Sequence, residues 1–538
     1  MASSAIANKT RNLLLLTGAF AAAFLFYFRP IQDDDAWLHF AAGRWILDNG
    51  AVQSVDTFSC TAPGVRYVNH EWLAQVVFES VRRIFGIPGF RILIAACAGI
   101  SFVIITISAL RHGAGRLAAG LITISALALQ WHVARARPQV FTMICVALLV
   151  DQYILRADAL RARRVVFFVI LMIFWANVHA AAVIAPGLLG LACVGSFLAG
   201  SVPAARRLGF LAIASALLLL VNPYGYHVYS YAFQTQGLAA LIPEWKSLWT
   251  LLFDPMERAR QTGGSDFRTQ AIYLSILALL TIPLAAWTIL KARRGRSGEP
   301  DGGGGIVAFA TPAAVCSILP FIANRHDLFI ALPVLFVCIA LPQIAKSETR
   351  ARTAVRAAGW VAGILAFAAL ARDADYRSTN YQKAGVHLFS NFFPPHEPEA
   401  AVNFIEKAGI EGNCLNRPSW GGYLLYRLYP QVKVSFDGRI TTLGAGVYKD
   451  HIDFFNGLRC SEIAEKYQFD FAIVLPFVFG FSKPFDQPNY VAPNLLNDWE
   501  IVYRDAHPNQ EGAAVVALRK LSPRFEENLA RVRAARVR

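Results

Sequence analysis

Charged residues are scarce in this chain, and their scarcity excludes an ordinary soluble protein. Only 16% of the 538 residues are charged, whereas 55% are hydrophobic, and the mean hydropathy is +0.42. Apolar runs such as 13–28, 92–110 and 271–290 approach or exceed the length that crosses a hydrocarbon core. The sequence therefore predicts an α-helical polytopic membrane protein.

Two further absences narrow the class. No small-residue cleavage site follows the first apolar run, so we interpret this run as a retained first span and not as a signal peptide. The net charge of +15 does not indicate nucleic acid as a partner, because the basic residues are not interleaved with aromatic residues on one soluble face. They lie between apolar runs instead.

The eight cysteines show no CxxC spacing, which argues against a zinc site built from cysteines. Those within apolar runs are best interpreted as small hydrophobic residues. Cys414 and Cys460 fall in the segment predicted to lie on the oxidising side of the membrane, so a disulfide between them is one expectation.

The basic clusters define an orientation. With the N-terminus inside the cell, each cluster falls on the cytoplasmic side of the membrane, as the positive-inside rule requires. The clusters are 111–116, 156–164, 206–207, 291–296 and 346–356. We predict about eleven spans, at 12–29, 89–110, 117–133, 139–155, 165–182, 183–200, 208–222, 269–290, 306–323, 327–345 and 355–371.

This topology divides the chain into three parts. Residues 1–378 form a transmembrane domain with a first extracytoplasmic loop, 30–88, that contains interfacial helices. Hydropathy falls from about residue 380, and the strand-like runs KVSF, FDFAIVL, EIVY and AAVVAL alternate with helical ones. We predict a periplasmic α/β domain at 379–523 and a basic helical tail at 524–538.

The first loop opens with QDDDAWLHFAAGRWILDNG, residues 32–50, the stretch most suggestive of chemistry. Asp33 or Asp34 can cap a helix here, and Asn49-Gly50 can end it. Trp37 and Trp45 share a face that we expect in the lipid headgroups. Asp35 and His39 share a different face, which suits a general base or the ligands of a divalent cation. The capping of a helix after a span is the competing interpretation.

A second loop helix follows in VNHEWLAQVVFESVRRIFG. His70-Glu71 resembles the start of the zinc-protease pattern, but Ala74 stands where that pattern needs its second histidine. His70 and Glu71 either face the same cavity as Asp35 or are polar residues at the start of a helix in water.

The other loops on the predicted outer side also carry unusual residues. Each alone is typical of a solvated loop, but several loops on one face of the membrane suggest a shared cavity. Arginine suits a phosphate group there, because guanidinium forms paired hydrogen bonds with phosphate oxygens. The predicted substrate-binding residues are Arg135, Arg137, Asn177, His179, Asn222, Glu244, Arg325 and His326, together with His70 and Glu71.

Two motifs mark the C-terminal domain: WGGY, which begins at Trp420, and DGR at 437–439. One interpretation is a tight turn, a packed helix and a structural pair between Asp437 and Arg439. The other is acceptor recognition or a lid over the cavity.

These motifs together carry a resemblance. DxDxWLHFAAGRWILDNG, VDTFSCTAPG, VNHEWLAQ, ARPQVF, WANVHA, NPYGY, PEW, NRHDLF and WGGYLLYRLYPQVKVSFDGR are similar to a group of uncharacterised bacterial polytopic membrane proteins. That group in turn resembles the GT-C superfamily of glycosyltransferases, which includes protein O-mannosyltransferases and aminoarabinose transferases. The chain departs from the group at Leu38 and Cys60, where an aromatic residue is usual.

The resemblance implies an enzyme of the bacterial inner membrane that moves a sugar from a polyprenyl-phosphate donor to a lipid, glycan or protein acceptor at the outer face. It implies Asp33 or Asp35 as base or as ligand of a divalent cation. It assigns the donor phosphate to Arg137, Arg325 and His326. The competing hypothesis is a non-catalytic transporter or scaffold for envelope polysaccharide assembly, although nearly charge-free spans and the lack of an internal repeat disfavour transport.

Overall fold

The computed structural model shows a chain divided into two compact units. The helical unit comprises Met1–Arg29 and Phe90–Lys383, and the mixed unit comprises Pro30–Gly89 and Ala384–Arg538. The structure describes residues 2–31, 33–129, 135–156, 160–231, 267–294, 304–322, 331–345, 397–480, 497–507 and 512–537, with Ser247, Phe253, Thr379 and Leu495 as single residues.

The helical unit contains apolar helices at nearly all of the predicted spans that fall on described residues. They are α1 (Ala2–Tyr27), the second half of α3 (Trp72–Arg111), α4 (Arg116–Leu129), α5 (Gln139–Leu149) with a π-helical turn (Val150–Ile154), α6 (Ala162–Val178), a 3₁₀ turn (Ala180–Val183), α7 (Ile184–Leu198), α8 (Val202–Leu218), α9 (Phe267–Arg294), α10 (Gly304–Ile322) and α11 (Ala331–Ala345). The predicted span 355–371 lies outside the described residues.

Large apolar side chains cover the outside of this unit, as expected for helices that face lipid. Leu14 is 66% exposed, Ile213 66% and Leu279 73%. Four of the described helices are long and apolar enough to cross a membrane: Ala7–Tyr27, Trp72–Arg111, Ala180–Leu198 and Ser275–Arg294. The chain is a polytopic membrane protein, and its number of spans stays a prediction.

Helix α3 changes direction at Gly86, whose φ of 67° lies in the left-handed region. Pro88 follows within the same helix. Since a proline cannot donate its backbone nitrogen to the helix ladder, Gly86 and Pro88 together mark the end of one helix and the start of the next. The sequence prediction of a loop helix followed by a span from residue 89 matches this division.

The mixed unit contains α2 (Asp35–Asn49), the first half of α3 and the C-terminal elements. These are α12 (Glu399–Ala408), β1 (Gly412–Asn416), α13 (Gly421–Leu428), β2 (Val432–Val434), α14 (Ile440–Phe455), α15 (Cys460–Lys466), β3 (Phe471–Val474), β4 (Trp499–Arg504), β5 (Val515–Arg519) and α16 (Phe525–Val537). The strands form one mixed sheet in the order β2-β1-β3-β5-β4, so the predicted α/β domain is confirmed.

The first loop extends this sheet. Ser59 forms a parallel bridge with Val434 of β2, and Cys60 donates its backbone N–H to the Val434 carbonyl oxygen at 2.9 Å. Pairing with the loop covers the free edge of β2, which an exposed strand otherwise leaves open to aggregation. Residues 30–89 and the C-terminal region therefore fold as one unit.

The basic tail is packed against the α/β domain through α16. Asn528 is buried and donates from Nδ2 to the Glu411 carbonyl oxygen at 3.0 Å, and Arg531 forms ion pairs with Glu411 and Glu527. Polar side chains on one face of α16 thus have hydrogen-bond and ion-pair partners within the protein.

The expected Cys414–Cys460 disulfide is wrong, because all eight cysteines are free thiols. Cys414 is fully buried in β1, whereas Cys460 is only half-buried at the start of α15. Burial raises the pKa of the Cys414 thiol well above its ordinary value, which further reduces its reactivity.

Candidate functional site at the start of the first-loop helix

The Asp33 carboxylate binds the start of α2. Its Oδ1 accepts a hydrogen bond from the Asp35 backbone N–H at 3.2 Å, whereas the Asp34 side chain makes no capping hydrogen bond. Gly50 ends the helix in the left-handed conformation, with its N–H bonded to the Ile46 carbonyl oxygen. The sequence left the capping residue open between Asp33 and Asp34. Asp34 occupies the N-cap position, and the Asp33 carboxylate makes the hydrogen bond to the start of the helix.

The Asp35 carboxylate lies against the DGR loop of the C-terminal domain. A methyl group placed on Gly438 would come within 2.3 Å of Asp35 Oδ1, which shows how closely the loop backbone approaches this acid. Gly438 is exposed and Asp35 is half-buried. One side of the carboxylate therefore opens toward the surface of the mixed unit.

The WGGY motif makes a second close approach to the same helix. A methyl group on Gly422 would lie 2.9 Å from the Leu38 backbone nitrogen and 3.0 Å from the Asp34 carbonyl oxygen. Only a residue without a side chain lets α13 lie this near to the first turn of α2. Both C-terminal motifs thus contact the acidic turn.

Asp34 has a strongly perturbed carboxyl group. Burial, followed by the nearby charges of Glu397, Asp33 and Asp35, raises its pKa from 3.8 to about 7, and Arg417 acts in the opposite direction. A carboxyl group with a pKa near neutrality can both release and accept a proton under physiological conditions. The acidic turn therefore contains an acid, Asp34, that titrates near neutrality.

Trp37 is buried, which corrects its expected position in the lipid headgroups. Its ring lies edge-on to Tyr423 at 5.1 Å between centroids and near Tyr426 at 5.0 Å. Its indole N–H donates to Glu397 Oε1 at 2.9 Å. Trp37 thereby positions Glu397, one of the charges that raise the pKa of Asp34.

A buried ion triad holds the DGR loop in place. Arg439 Nη1 donates to Asp56 Oδ1 and Nη2 donates to Asp437 Oδ2, each at 2.6 Å. All three side chains are buried, and the guanidinium also lies 5.0 Å from the ring centroids of Phe58 and Tyr67. Burial alone lowers the pKa of Arg439, but the Asp437 and Asp56 charges outweigh it and raise that pKa above its ordinary value.

His39, Glu71 and His70 form a second group. The Glu71 carboxylate lies 3.8 Å from His39 Nδ1 and 3.6 Å from His70 Nε2. His39 is buried, and its Nδ1 has no hydrogen-bond partner among the described residues. The structure thus brings together three of the residues that the sequence selected, with a carboxylate between two imidazole rings.

The helical unit holds five other predicted site residues. Among them, His179 is buried, and the Thr142 hydroxyl lies 2.9 Å from its Nδ1. Asn177 donates from Nδ2 to the backbone carbonyl oxygens of Ile173 and Val221. Asn222 donates from Nδ2 to that of Leu219. Two half-buried arginines precede α5. The five residues are Arg135, Arg137, Asn177, His179 and Asn222.

Glu244, Arg325 and His326 lie outside the described residues, so their assignment to a substrate site stays a prediction. The proposed cation also stays a prediction. In the part of the chain that the structure describes, no three His, Cys, Asp or Glu side chains are grouped in a way that could hold a metal ion.

Sequence reasoning did not select Asp56 and Glu397 as part of the site. Asp56 stands in the VDTFSCTAPG motif, whose acidic residue next to a strand-like TFS run was the one available signal. Glu397 lies 360 residues from Trp37 in sequence. A single sequence does not reveal so distant a pair.

The fold has relatives among solved membrane enzymes. The oligosaccharyltransferase AglB from Archaeoglobus fulgidus, in complex with an inhibitory peptide and a dolichol-phosphate, matches with a TM-score of 0.57 and 11% identity over 87% of this chain and 69% of that one. The same enzyme tethered to an acceptor peptide with the NVT sequon matches with a TM-score of 0.53 and 13% identity, covering 86% of this chain and 68% of the other.

ArnT from Cupriavidus metallidurans aligns over 95% of this chain and 98% of its own, with 13% identity and a TM-score of 0.42. This score is too low to support a fold assignment, which rests on the archaeal enzyme. No protein-family model and no curated protein sequence matches the chain. The chain therefore shares its fold with the archaeal oligosaccharyltransferase. It has a polytopic helical part and a C-terminal α/β domain.

Proposed function

We propose that this chain is a GT-C-type glycosyltransferase of the bacterial inner membrane. It transfers a sugar, hexosyl or pentosyl, from a polyprenyl-phosphate-linked donor to a lipid, glycan or protein acceptor at the outer face. The observation that carries the proposal is an acidic first-loop turn, with Asp35 beside the exposed Gly438, in a chain with the GT-C fold. The dolichol-phosphate in one structure of the archaeal oligosaccharyltransferase and the acceptor peptide tethered in another support a lipid-linked donor and a peptide acceptor.

Asp35 is the acid that we propose as the base. The Asp33 carboxylate already accepts the Asp35 amide and is buried, whereas Asp35 lies beside an exposed glycine. An ionised Asp35 takes the proton of the acceptor hydroxyl as that oxygen forms a bond to the anomeric carbon. The bond between this carbon and the donor phosphate oxygen breaks, and the electron pair leaves with the polyprenyl phosphate. A single displacement of this kind inverts the anomeric centre.

The leaving phosphate needs positive charge. Arg137, Arg325 and His326 are the residues that we propose for it, since guanidinium groups stabilise the charge that develops on phosphate oxygens. His39, in contact with Glu71, is a second proton acceptor in the same loop.

A divalent cation is the candidate cofactor, supported by the zinc and sulfate in another structure of the archaeal enzyme. Asp33 and Asp35 are the ligands that we propose for it. They provide two carboxylates, and the described residues add no third His, Cys, Asp or Glu to make a metal-holding group. We therefore assign no step of the transfer to the cation.

The test is complementation of a strain that lacks the gene. The wild-type chain, Asp35→Asn and Asp33→Asn are expressed at matched membrane levels, and lipid-linked donors and envelope glycans are profiled by mass spectrometry. We expect both variants to lose the product glycan and to accumulate the donor lipid. Asp35→Asn removes the proposed base, and Asp33→Asn removes the charge of the carboxylate that binds the Asp35 amide and is the other proposed cation ligand.

Asp48→Asn is the matched control. Asp48 lies on the same helix, its side chain is 54% exposed and its partner is Arg83, so this variant should make wild-type amounts of product. Full product formation by both Asp33→Asn and Asp35→Asn would overturn the proposal and favour a non-catalytic transporter or scaffold for envelope polysaccharide assembly.

A further inference from the structure

We propose that Gly438 is a positioning residue for the Asp35 carboxylate, and that the Asp56–Arg439–Asp437 triad holds Gly438 in place for this purpose. The inference rests on the proposed function, because it assigns the DGR loop to the same reaction. It gives the outer α/β domain a direct part in the chemistry of the first loop.

Position 438 needs glycine because a larger residue has no room for its side chain there. Gly438 does not have a left-handed φ, so its backbone conformation is open to other residues. A Cβ there would lie 2.3 Å from Asp35 Oδ1, 3.2 Å from Asp35 Cγ and 3.3 Å from Leu38 Cδ2. All three are side-chain atoms, and contacts below 3.0 Å do not persist in real structures. Alanine at this position would therefore move the Asp35 carboxylate, with the backbone of α2 left in place.

The triad fixes the loop on both sides of Gly438. Asp437 Oδ1 accepts the Arg439 backbone N–H at 2.8 Å and its Nε at 2.9 Å, so the side chain before the glycine binds the residue after it. Arg439 then reaches Asp56 at 2.6 Å. Asp56 is itself held by the first loop, since it accepts the Phe58 backbone N–H at 3.0 Å. A loop anchored at two charged residues has little freedom to withdraw from Asp35.

Such an arrangement restricts the rotamers of Asp35. A short side chain at the start of a helix has several staggered positions in water, and the close backbone of Gly438 removes those that would enter the loop. A base must lie within about 3 Å of the proton that it takes. Restricting the carboxylate beforehand lowers the entropic cost of reaching that geometry.

The chain offers a matched set of glycines for the test. Gly438→Ala is compared with Gly446→Ala, which lies in α14 with no atom within 4 Å of its added methyl group. The full-length proteins are expressed in the deletion strain, and product glycan is measured by mass spectrometry. The unfolding temperature of each purified chain is measured in detergent. Asp35→Ala and the double variant Asp35→Ala/Gly438→Ala complete a thermodynamic cycle.

We expect Gly438→Ala to lower product formation by roughly 100-fold, as a displacement of about 1 Å can do, while Gly446→Ala keeps wild-type activity. Gly438→Ala should lower the unfolding temperature, and the double variant should regain it because the clashing carboxylate is gone. The double variant should stay inactive, since it lacks the proposed base. The recovery of unfolding temperature identifies the Asp35 carboxylate as the group that the added methyl group displaces. The loss of product by a folded Gly438→Ala then assigns this displacement to the reaction. The double variant also keeps the test decisive if Gly438→Ala alone folds poorly.

Two results would overturn the inference. Additive effects of Asp35→Ala and Gly438→Ala on unfolding temperature would show that the two residues are not coupled. Wild-type activity of a folded Gly438→Ala, together with an inactive Asp35→Asn, would leave the proposed function standing and remove Gly438 from it. Wild-type activity of Asp33→Asn and Asp35→Asn would instead remove the proposed function, whatever the coupling.

Discussion

Arg439 and Asp56 are 383 residues apart in sequence, and Arg439 Nη1 donates to Asp56 Oδ1 at 2.6 Å between two buried side chains. Asp437 binds the same guanidinium from the other side. The pair joins the first loop to the C-terminal sheet within one compact unit. Removing one member of such a buried ion group strongly destabilises the fold, because the remaining charged side chains stay buried without a partner of opposite charge.

Arg439→Met should therefore destabilise the mixed unit strongly. It leaves Asp56 and Asp437 buried without their cation, and loss of one partner from a buried pair costs about 3–5 kcal/mol. The apparent unfolding temperature of the full-length protein in detergent measures the effect. Asp48→Asn is the control, because the exposed pair of Asp48 and Arg83 is worth about 1 kcal/mol or less. Similar unfolding temperatures for the two variants would contradict a structural role of the triad.

Much of the fold could be predicted from the sequence because its cause is local. Apolar runs of span length specify membrane helices, and short strand-like runs such as FDFAIVL specify strands. The described helices and strands therefore lie where these patterns placed them. The end of α2 at Asn49-Gly50 follows from the conformational freedom of glycine. These features depend on neighbours in sequence.

The site depends on contacts between distant segments, which hydropathy and spacing do not encode. The sequence marked Trp37 as interfacial because large aromatic residues on an exposed helix favour headgroups. In the fold the helix is not exposed, since Tyr423 and Tyr426 of α13 cover this side chain. The Cys414–Cys460 expectation failed for a similar reason, because predicted exposure to the oxidising side did not reveal that β1 buries Cys414 completely.

Gly43 provides a test of the packing between α2 and α3. A methyl group at this position would lie 2.2 Å from the Gln75 carbonyl oxygen and 2.8 Å from Glu79 Cβ. Because the Gln75 carbonyl oxygen is a backbone atom, the two helices must separate to make room for the methyl group. We expect Gly43→Ala to lower the free energy of unfolding by about 1–3 kcal/mol. Gly446→Ala has open space around it and should be neutral or slightly stabilising. Unfolding temperatures in detergent distinguish the two variants. Equal values would show that α2 and α3 are less closely packed than in this structure.

Asp34 makes the stability of the protein depend on pH in an unusual direction. Burial and the charges of Glu397, Asp33 and Asp35 raise its pKa from 3.8 to about 7. Between pH 4 and 7 the folded state therefore keeps a proton that the unfolded state has released. Since stability falls with rising pH wherever the unfolded state binds fewer protons, this group weakens the fold progressively up to about pH 7, and the effect is constant above that.

Asp34→Asn should remove this dependence, because an amide does not titrate. Unfolding temperatures of the wild type and the variant are measured from pH 5 to pH 8 in the same detergent and salt. We expect the difference, variant minus wild type, to grow more positive as pH rises and to level off above about pH 7. Asp48→Asn, whose acid is exposed beside Arg83 on the same helix, should follow the wild-type curve through that interval. Parallel curves for Asp34→Asn and wild type would show that Asp34 is already ionised in the folded protein at pH 5, and that the acidic turn does not hold a proton near neutrality.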